Sequence, residues 1–210
     1  MGLHRAWPEA EITGVDIRPQ PRYPFKFVQA DAMTYPLEGY DFIWASPPCQ
    51  AYTSMRALGK GAGEGAPDLV NAVRERLTNS GTPFVIENVM GAPLRFPLVL
   101  CGTMFGLRVR RHRIFESPFL MLRPSCRHDP RVRMIAVYGD HPEKSPIHRR
   151  KGSRNRHGGG AEVTWRACSI EEAREAMGIN WMEWKELTQA VPPAYSEYIA
   201  RQWRTAGASG

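Results

Sequence analysis

Hydrophobic and polar positions along this chain follow two periods. Short apolar runs that end in an acid or a proline predict strands at residues 11–17 (EITGVDI), 26–31 (KFVQAD), 40–46 (YDFIWAS) and 83–89 (PFVIENV). Further strand candidates lie at 97–101 and 107–115. Over 68–79, Leu69, Val70, Val73 and Leu77 recur at helical spacing, and Ser80-Gly81 ends that helix. Ser169 followed by Glu172 is a capping box opening a helix that runs to Gly178, and Pro192-Pro193 lead into a last amphipathic helix over 193–204. Continuous apolar strands with a helix between them predict an α/β fold with a parallel sheet, in which ligands bind at the carboxyl ends of the strands. Asp16, Asp31, Cys49 and Glu87 all fall at or just past such ends.

Residues 117–168 break the pattern. They carry the basic run 148–157 (HRRKGSRNRH) followed by Gly158-Gly159-Gly160, and read as an insertion with little core of its own. Residues 51–67 are rich in Gly, Ala and Lys and read as a mobile loop. A length of 210 residues is enough for one domain with a small appendage, and 42% hydrophobic residues can fill its core. The 18 Pro and 19 Gly exclude an all-helical bundle. With 28 Lys and Arg against 21 Asp and Glu, the net charge of +7 is compatible with a polyanionic partner. Apolar runs such as 96–101 are too short to cross a bilayer, and the N-terminal MGLHRAWPEAE predicts no signal peptide.

The four cysteines, Cys49, Cys101, Cys126 and Cys168, form no C-x-x-C pair and no disulfide framework, which points to a reducing, cytoplasmic setting. A zinc reading would need Cys126 and His128 to find partners such as His141 and His148. That spacing fits no closed structural pattern, so the sequence predicts a polar surface loop there and no metal.

Three segments carry chemistry. In Pro47-Pro48-Cys49-Gln50, a thiol follows a strand and is held by two prolines, a rigid setting for a nucleophile. Glu87 closes an apolar strand, where desolvation would suit it to donate a proton at neutral pH. Over residues 108–115 (RVRRHRIF), alternation would put Arg111 and Arg113 on one face of a strand, suited to a phosphate or a ring carbonyl.

In this order, SPPCQAYTS, FVIENVMGAPL, RRHRIFES and LTQAVPPAYSEYIA resemble four motifs of the cytosine-C5 DNA methyltransferases, spread over nearly the whole chain. The resemblance implies a Rossmann-like class I methyltransferase sheet and S-adenosylmethionine as cofactor. It further implies that Cys49 attacks carbon 6 of a flipped cytosine, that Glu87 holds the exocyclic amine and protonates ring nitrogen 3, and that Arg113, supported by Arg111, contacts the ring carbonyl or adjoining backbone. Asp16 matches the ribose-binding position of the cofactor site, Ile17 beside it is a further cofactor-binding position, Asp31 matches the adenine-amine position, and Pro48 belongs to the nucleophile loop. Within the loop 51–67, the stretch from Leu58 to Gly65 is the implied lid over the flipped base. Double-stranded DNA is the implied partner, met by Gln50 and by the phosphate-binding residues Arg149, Arg150, Lys151, Arg154 and Arg156. The implied organisation is a cofactor-binding and catalytic core over 1–116, a small basic target-recognition region over 117–168, and a C-terminal segment over 169–210 that completes the core.

Two departures stand out. The family opens with a strand and a Phe-x-Gly-x-Gly-Gly loop around the methionine end of the cofactor, whereas Met1-Gly2-Leu3-His4-Arg5-Ala6 matches the helix after that loop. The expectation is a sheet with a gap beside its second strand. Its favoured explanation is an internal Met within a longer protein, over a piece supplied by another chain or an inactive relative. Val109 also replaces the Gln usual before the Arg-x-Arg pair. Competing readings are a tRNA cytosine-5 methyltransferase and a DNA-binding protein that holds cytosine without methylating it. Thymidylate synthases share the Pro-Cys-Gln nucleophile but nothing else here, and a thiol hydrolase lacks an obvious His near Cys49. Restriction companion, solitary methylase and phage enzyme are the roles compatible with such an activity, and the compact size favours the last.

Overall fold

A computed structural model describes residues 1–52, 68–139, 141–142, 153–155 and 162–207. The chain divides into two compact units. The sheet unit comprises Glu11–Leu100 and His112–Arg123, and the helix-rich unit comprises Met1–Ala10, Cys101–Arg111 and Pro124–Gly210.

In the sheet unit, β1 (Thr13–Asp16) pairs parallel with β2 (Lys26–Gln29) as a ladder of its own. A second sheet has the order β3-β4-β6-β5, formed by β3 (Ile43–Ala45), β4 (Phe84–Asn88), β5 (Leu98–Leu100) and β6 (Arg113–Glu116). β3 runs parallel to β4, but β6 is antiparallel to both β4 and β5, so this sheet is mixed and not wholly parallel. The β5-to-β6 connection carries a short 3-10 turn at Gly102–Phe105 in place of a crossover helix. A parallel neighbour needs such a crossover; an antiparallel one does not. β4 has neighbours on both sides and all five of its residues are buried, which explains its unbroken apolar run up to Glu87.

A helix of this unit, α2 (Val70–Ser80), follows α1 (Gly2–Ala6) in chain order. It stops where Gly81 adopts the left-handed conformation (φ 71°) that favours glycine. Leu77 packs with Phe84 and Ile86, flanked by Val73, Ile43 and Ala45, and full burial of such side chains contributes about 1.5–3 kcal/mol each. The helix also delivers a charge into the interior. Arg74 Nε and Nη2 donate to Glu116 Oε1 and Oε2 at 2.5 and 2.8 Å, and Arg74 also reaches Asn71 Oδ1 and the Pro93 carbonyl. The Arg95 N–H completes the site on Glu116 Oε2 at 2.6 Å.

Both partners of this ion pair are buried, so removing one strands the other. Arg74→Leu is expected to destabilise the protein by about 3–5 kcal/mol in chemical denaturation. Burial alone would raise the Glu116 carboxyl, but the bonds from Arg74 and Arg95 outweigh it and hold its pKa below the ordinary value. A depressed carboxyl contributes stability above its unfolded pKa, about 4.3, that is lost as pH falls through the folded one. Wild-type stability should therefore decline below about pH 4, with part of that decline absent from Arg74→Leu. Equal acid-side slopes would contradict the assignment.

The helix-rich unit starts with α1 (Gly2–Ala6), which lies against α5 (Pro193–Gly207). A Cβ on Gly2 would come within 2.1 Å of the Pro193 carbonyl, so the close approach requires glycine. Trp7 meets Trp203 edge-on at 5.2 Å. α3 (Ile170–Met177) begins at the predicted cap: Ser169 Oγ accepts from the Glu172 N–H at 3.2 Å, while Glu172 reaches back to the Cys168 N–H. Its end at Gly178 is also as predicted.

α4 (Trp184–Gln189) escaped the sequence reading, because its N-cap is Glu183 and not one of the usual short polar residues. A sheet of order β7-β9-β8 is built from β7 (Met134–Ala136), β8 (Ser153–Asn155) and β9 (Glu162–Arg166). Ile135, Val137 and Ala167 join Ala173, Met177, Trp184 and Leu187 in one core. The region 117–168 is expected to have little core of its own, and its residues Ile135, Val137 and Ala167 are buried in a core shared with α3 and α4. No helix among the described residues is long and apolar enough to cross a membrane.

Candidate active site

The site is built on the carboxyl ends of β3 and β4. Their parallel register sets Ala45 against Ile86, so the chain leaves β3 into Pro47-Pro48-Cys49 beside the point where β4 presents Glu87 and Asn88. Asn88 is 1% exposed, and its Nδ2 donates to the Pro47 carbonyl at 3.0 Å. The bond fastens the cysteine loop to the glutamate strand. Asn88 lies within the FVIENVMGAPL segment, directly after Glu87, but nothing in the local pattern marks its amide as the anchor of the Pro47 loop.

Cys49 is partly exposed, and a 3-10 turn starts directly after it at Gln50–Tyr52. A Cβ on Gly91 would come within 2.7 Å of the Tyr52 carbonyl, so this turn also lies tight against the loop after β4. The Tyr52 hydroxyl donates to Asp68 Oδ1. Burial first, then that bond, push the Tyr52 phenol up to about 12, so it remains a donor at neutral pH. Leu58 to Gly65, the stretch read as a lid, lies outside the described residues.

Asn88→Ala is expected to strand the Pro47 carbonyl and cost about 1–3 kcal/mol. Urea denaturation checks this, and an unchanged midpoint would deny the anchor.

Glu87 is 6% exposed. In the antiparallel register Phe115 lies opposite Glu87, so Arg113 is its diagonal neighbour on the same face of the sheet. Arg113 Nε lies 3.1 Å from Glu87 Oε1, and Arg113 Nη1 donates to the His112 carbonyl at 2.9 Å. The carboxyl therefore has a guanidinium counter-charge.

Arg111 does not share that strand. β6 begins at Arg113, and residues 107–112 are not extended as a ladder. The cause is tertiary: Leu107 and Val109 are drawn into the core of the helix-rich unit, and the Arg108 carbonyl accepts from the Ile135 N–H at 2.6 Å. Arg111 donates to the Val137 and Thr188 carbonyls at 3.2 and 2.5 Å, and its own carbonyl accepts from the Tyr195 hydroxyl at 2.7 Å.

Asp16 and Asp31 lie at the same end of the β1–β2 ladder. Asp16 closes β1, and its Oδ1 and Oδ2 accept from the Arg18 N–H at 2.8 Å and Gln20 Nε2 at 3.0 Å. Asp31 follows β2 by two residues and turns the chain by accepting from the Met33 N–H at 2.8 Å. Ile17 is 68% exposed beside Asp16.

Of the predicted phosphate-binding residues, Arg154 lies in β8, and Arg149, Arg150, Lys151 and Arg156 lie outside the described residues. His148, one partner weighed for zinc, is also outside them, and the other, His141, packs edge-on against Trp184 at 5.9 Å. Against known proteins, no family model matches this chain, and no curated protein matches it.

Proposed function

We propose that the protein is a DNA cytosine-5 methyltransferase. The observation that carries the reading is the Asn88–Pro47 bond, which couples a thiol loop to a buried carboxyl that is itself paired with Arg113. That combination suits addition to an electron-poor ring. Carbon 5 of cytosine is a weak nucleophile while the ring is aromatic. A Cys49 thiolate adding at carbon 6 breaks the aromaticity, and a proton delivered by Glu87 to ring nitrogen 3 neutralises the charge that would otherwise build up. The resulting enamine is nucleophilic at carbon 5. Once carbon 5 has gained the methyl group, its proton would pass to solvent, ring nitrogen 3 would return its proton to Glu87, and departure of the Cys49 thiolate would restore the ring. A stacked base is out of reach of these groups, so the substrate cytosine must leave the duplex.

The ladders also support a Rossmann-like methyltransferase sheet. A parallel β1–β2 pair and a parallel β3–β4 pair, each with its candidate site residues at or just past the carboxyl ends, are what supports that reading. For the cofactor, Asp16 and Asp31 provide acceptors at one end of adjacent strands, and exposed Ile17 provides an apolar face. These groups fit a nucleoside: ribose hydroxyls on Asp16, the adenine amine on Asp31 and the ring against Ile17. S-adenosylmethionine, when bound, supplies an electrophilic methyl on a sulfonium. Pro48 shapes the loop bearing the nucleophile, and Gln50 follows it toward the DNA. Arg111 holds the backbone that leads into the Arg113 strand.

Incubating the protein with methyl-labelled S-adenosylmethionine and double-stranded DNA is expected to label cytosine at carbon 5. Label in tRNA and not in DNA would replace the substrate with a folded RNA loop. No label in either would reject the activity.

A further inference from the structure

The helix-rich unit contains a cluster of soft donors that the methyl-transfer chemistry does not use. Cys101 is buried at the start of a tight loop, and Cys126 and His128 lie in the segment that follows Pro124. Their ligand atoms all lie within 4.8 Å of one another. Cys101 Sγ is 3.5 Å from His128 Nε2, and Cys126 Sγ is 3.1 Å from the same nitrogen.

We infer that Cys101, Cys126 and His128 bind a zinc ion. Two thiolates and an imidazole are the donor set that selects zinc over the harder divalent cations, and two thiolates balance its charge. Binding displaces the two thiol protons to solvent and involves no redox change. A tetrahedral ion bound by these three groups has one position left for a further ligand.

The setting of Cys101 supports the assignment. The Met104 N–H points at Cys101 Sγ, the kind of backbone bond that orients and stabilises a metal-bound thiolate. The loop that creates it is tight: a Cβ on Gly102 would lie 2.3 Å from the Val109 carbonyl, and Gly106 turns the chain at φ 69°. The sequence hid the site because Cys101 and Cys126 are 25 positions apart, well outside the short ligand spacing of a C-x-x-C knuckle.

The test uses the full chain, reduced, loaded with zinc and freed of loosely bound metal by gel filtration. The expected result is one zinc per chain, with X-ray absorption at the zinc edge giving two sulfur scatterers at about 2.3 Å. Cys126→Ser and His128→Ala should each lower the zinc content several-fold, whereas Cys168→Ser should retain it. The absorption spectrum of the wild-type protein needs no variant to fold. Zinc-free protein after loading, a spectrum with oxygen and nitrogen ligands only, or undiminished zinc in Cys126→Ser would each overturn the site.

Discussion

Cys49→Ala is expected to lower methyl transfer to cytosine by about a thousandfold or more while leaving the fold intact. The side chain is only partly buried, and no other element depends on it: the loop is held by the Asn88–Pro47 bond and by the approach of Gly91 to Tyr52. Without the sulfur, carbon 5 would have to attack from an aromatic ring, and no other described group on the loop replaces a thiolate. Denaturation midpoints and DNA binding should stay near wild type. A variant that retains a tenth of the activity would mean that methyl transfer proceeds without a covalent adduct. Substituting Cys168, exposed in the helix-rich unit, is the matched control.

Glu87→Gln tests the other half of the chemistry. Glutamine keeps the length and one acceptor for the exocyclic amine but has no proton to deliver to ring nitrogen 3. Turnover is therefore expected to fall by about 10²–10⁴-fold, with KM for DNA changed far less. The substitution also removes the counter-charge of Arg113, whose guanidinium sits 3.1 Å away in a largely buried setting, so some loss of stability accompanies it. The split between kcat and KM separates the two effects: a merely structural glutamate would lower the amount of folded enzyme and leave kcat per folded molecule unchanged.

Much of the fold could be read from local pattern. The helix over Val70–Ser80 and its glycine stop, the capped helix from Ser169, and the strands β1 to β4 follow periodicity and turn chemistry, which act within a few residues. What escaped depends on contacts between distant residues. Alternation across 107–115 predicted a long strand, but the core of the helix-rich unit takes Leu107 and Val109, and only Arg113–Glu116 remains a strand. The direction of β6 follows from a connection whose path no local pattern encodes. Cys49 and Glu87 were legible because each ends an apolar run. The partners that set their environment, Asn88 and Arg113, and the buried Arg74–Glu116 pair depend on contacts across the sheet, such as the register of β4 against β3 and β6.

The most direct test of the central claim isolates the sulfur from the methyl group. Addition of Cys49 at carbon 6 makes carbon 5 exchange its proton with solvent, with no methyl transfer required. DNA incubated with the protein in deuterated water should gain deuterium at carbon 5 of its target cytosines, read by mass spectrometry of the released nucleosides, and Cys49→Ala should abolish the gain. Exchange that persists undiminished in Cys49→Ala, or no exchange with the wild-type protein, would contradict the account.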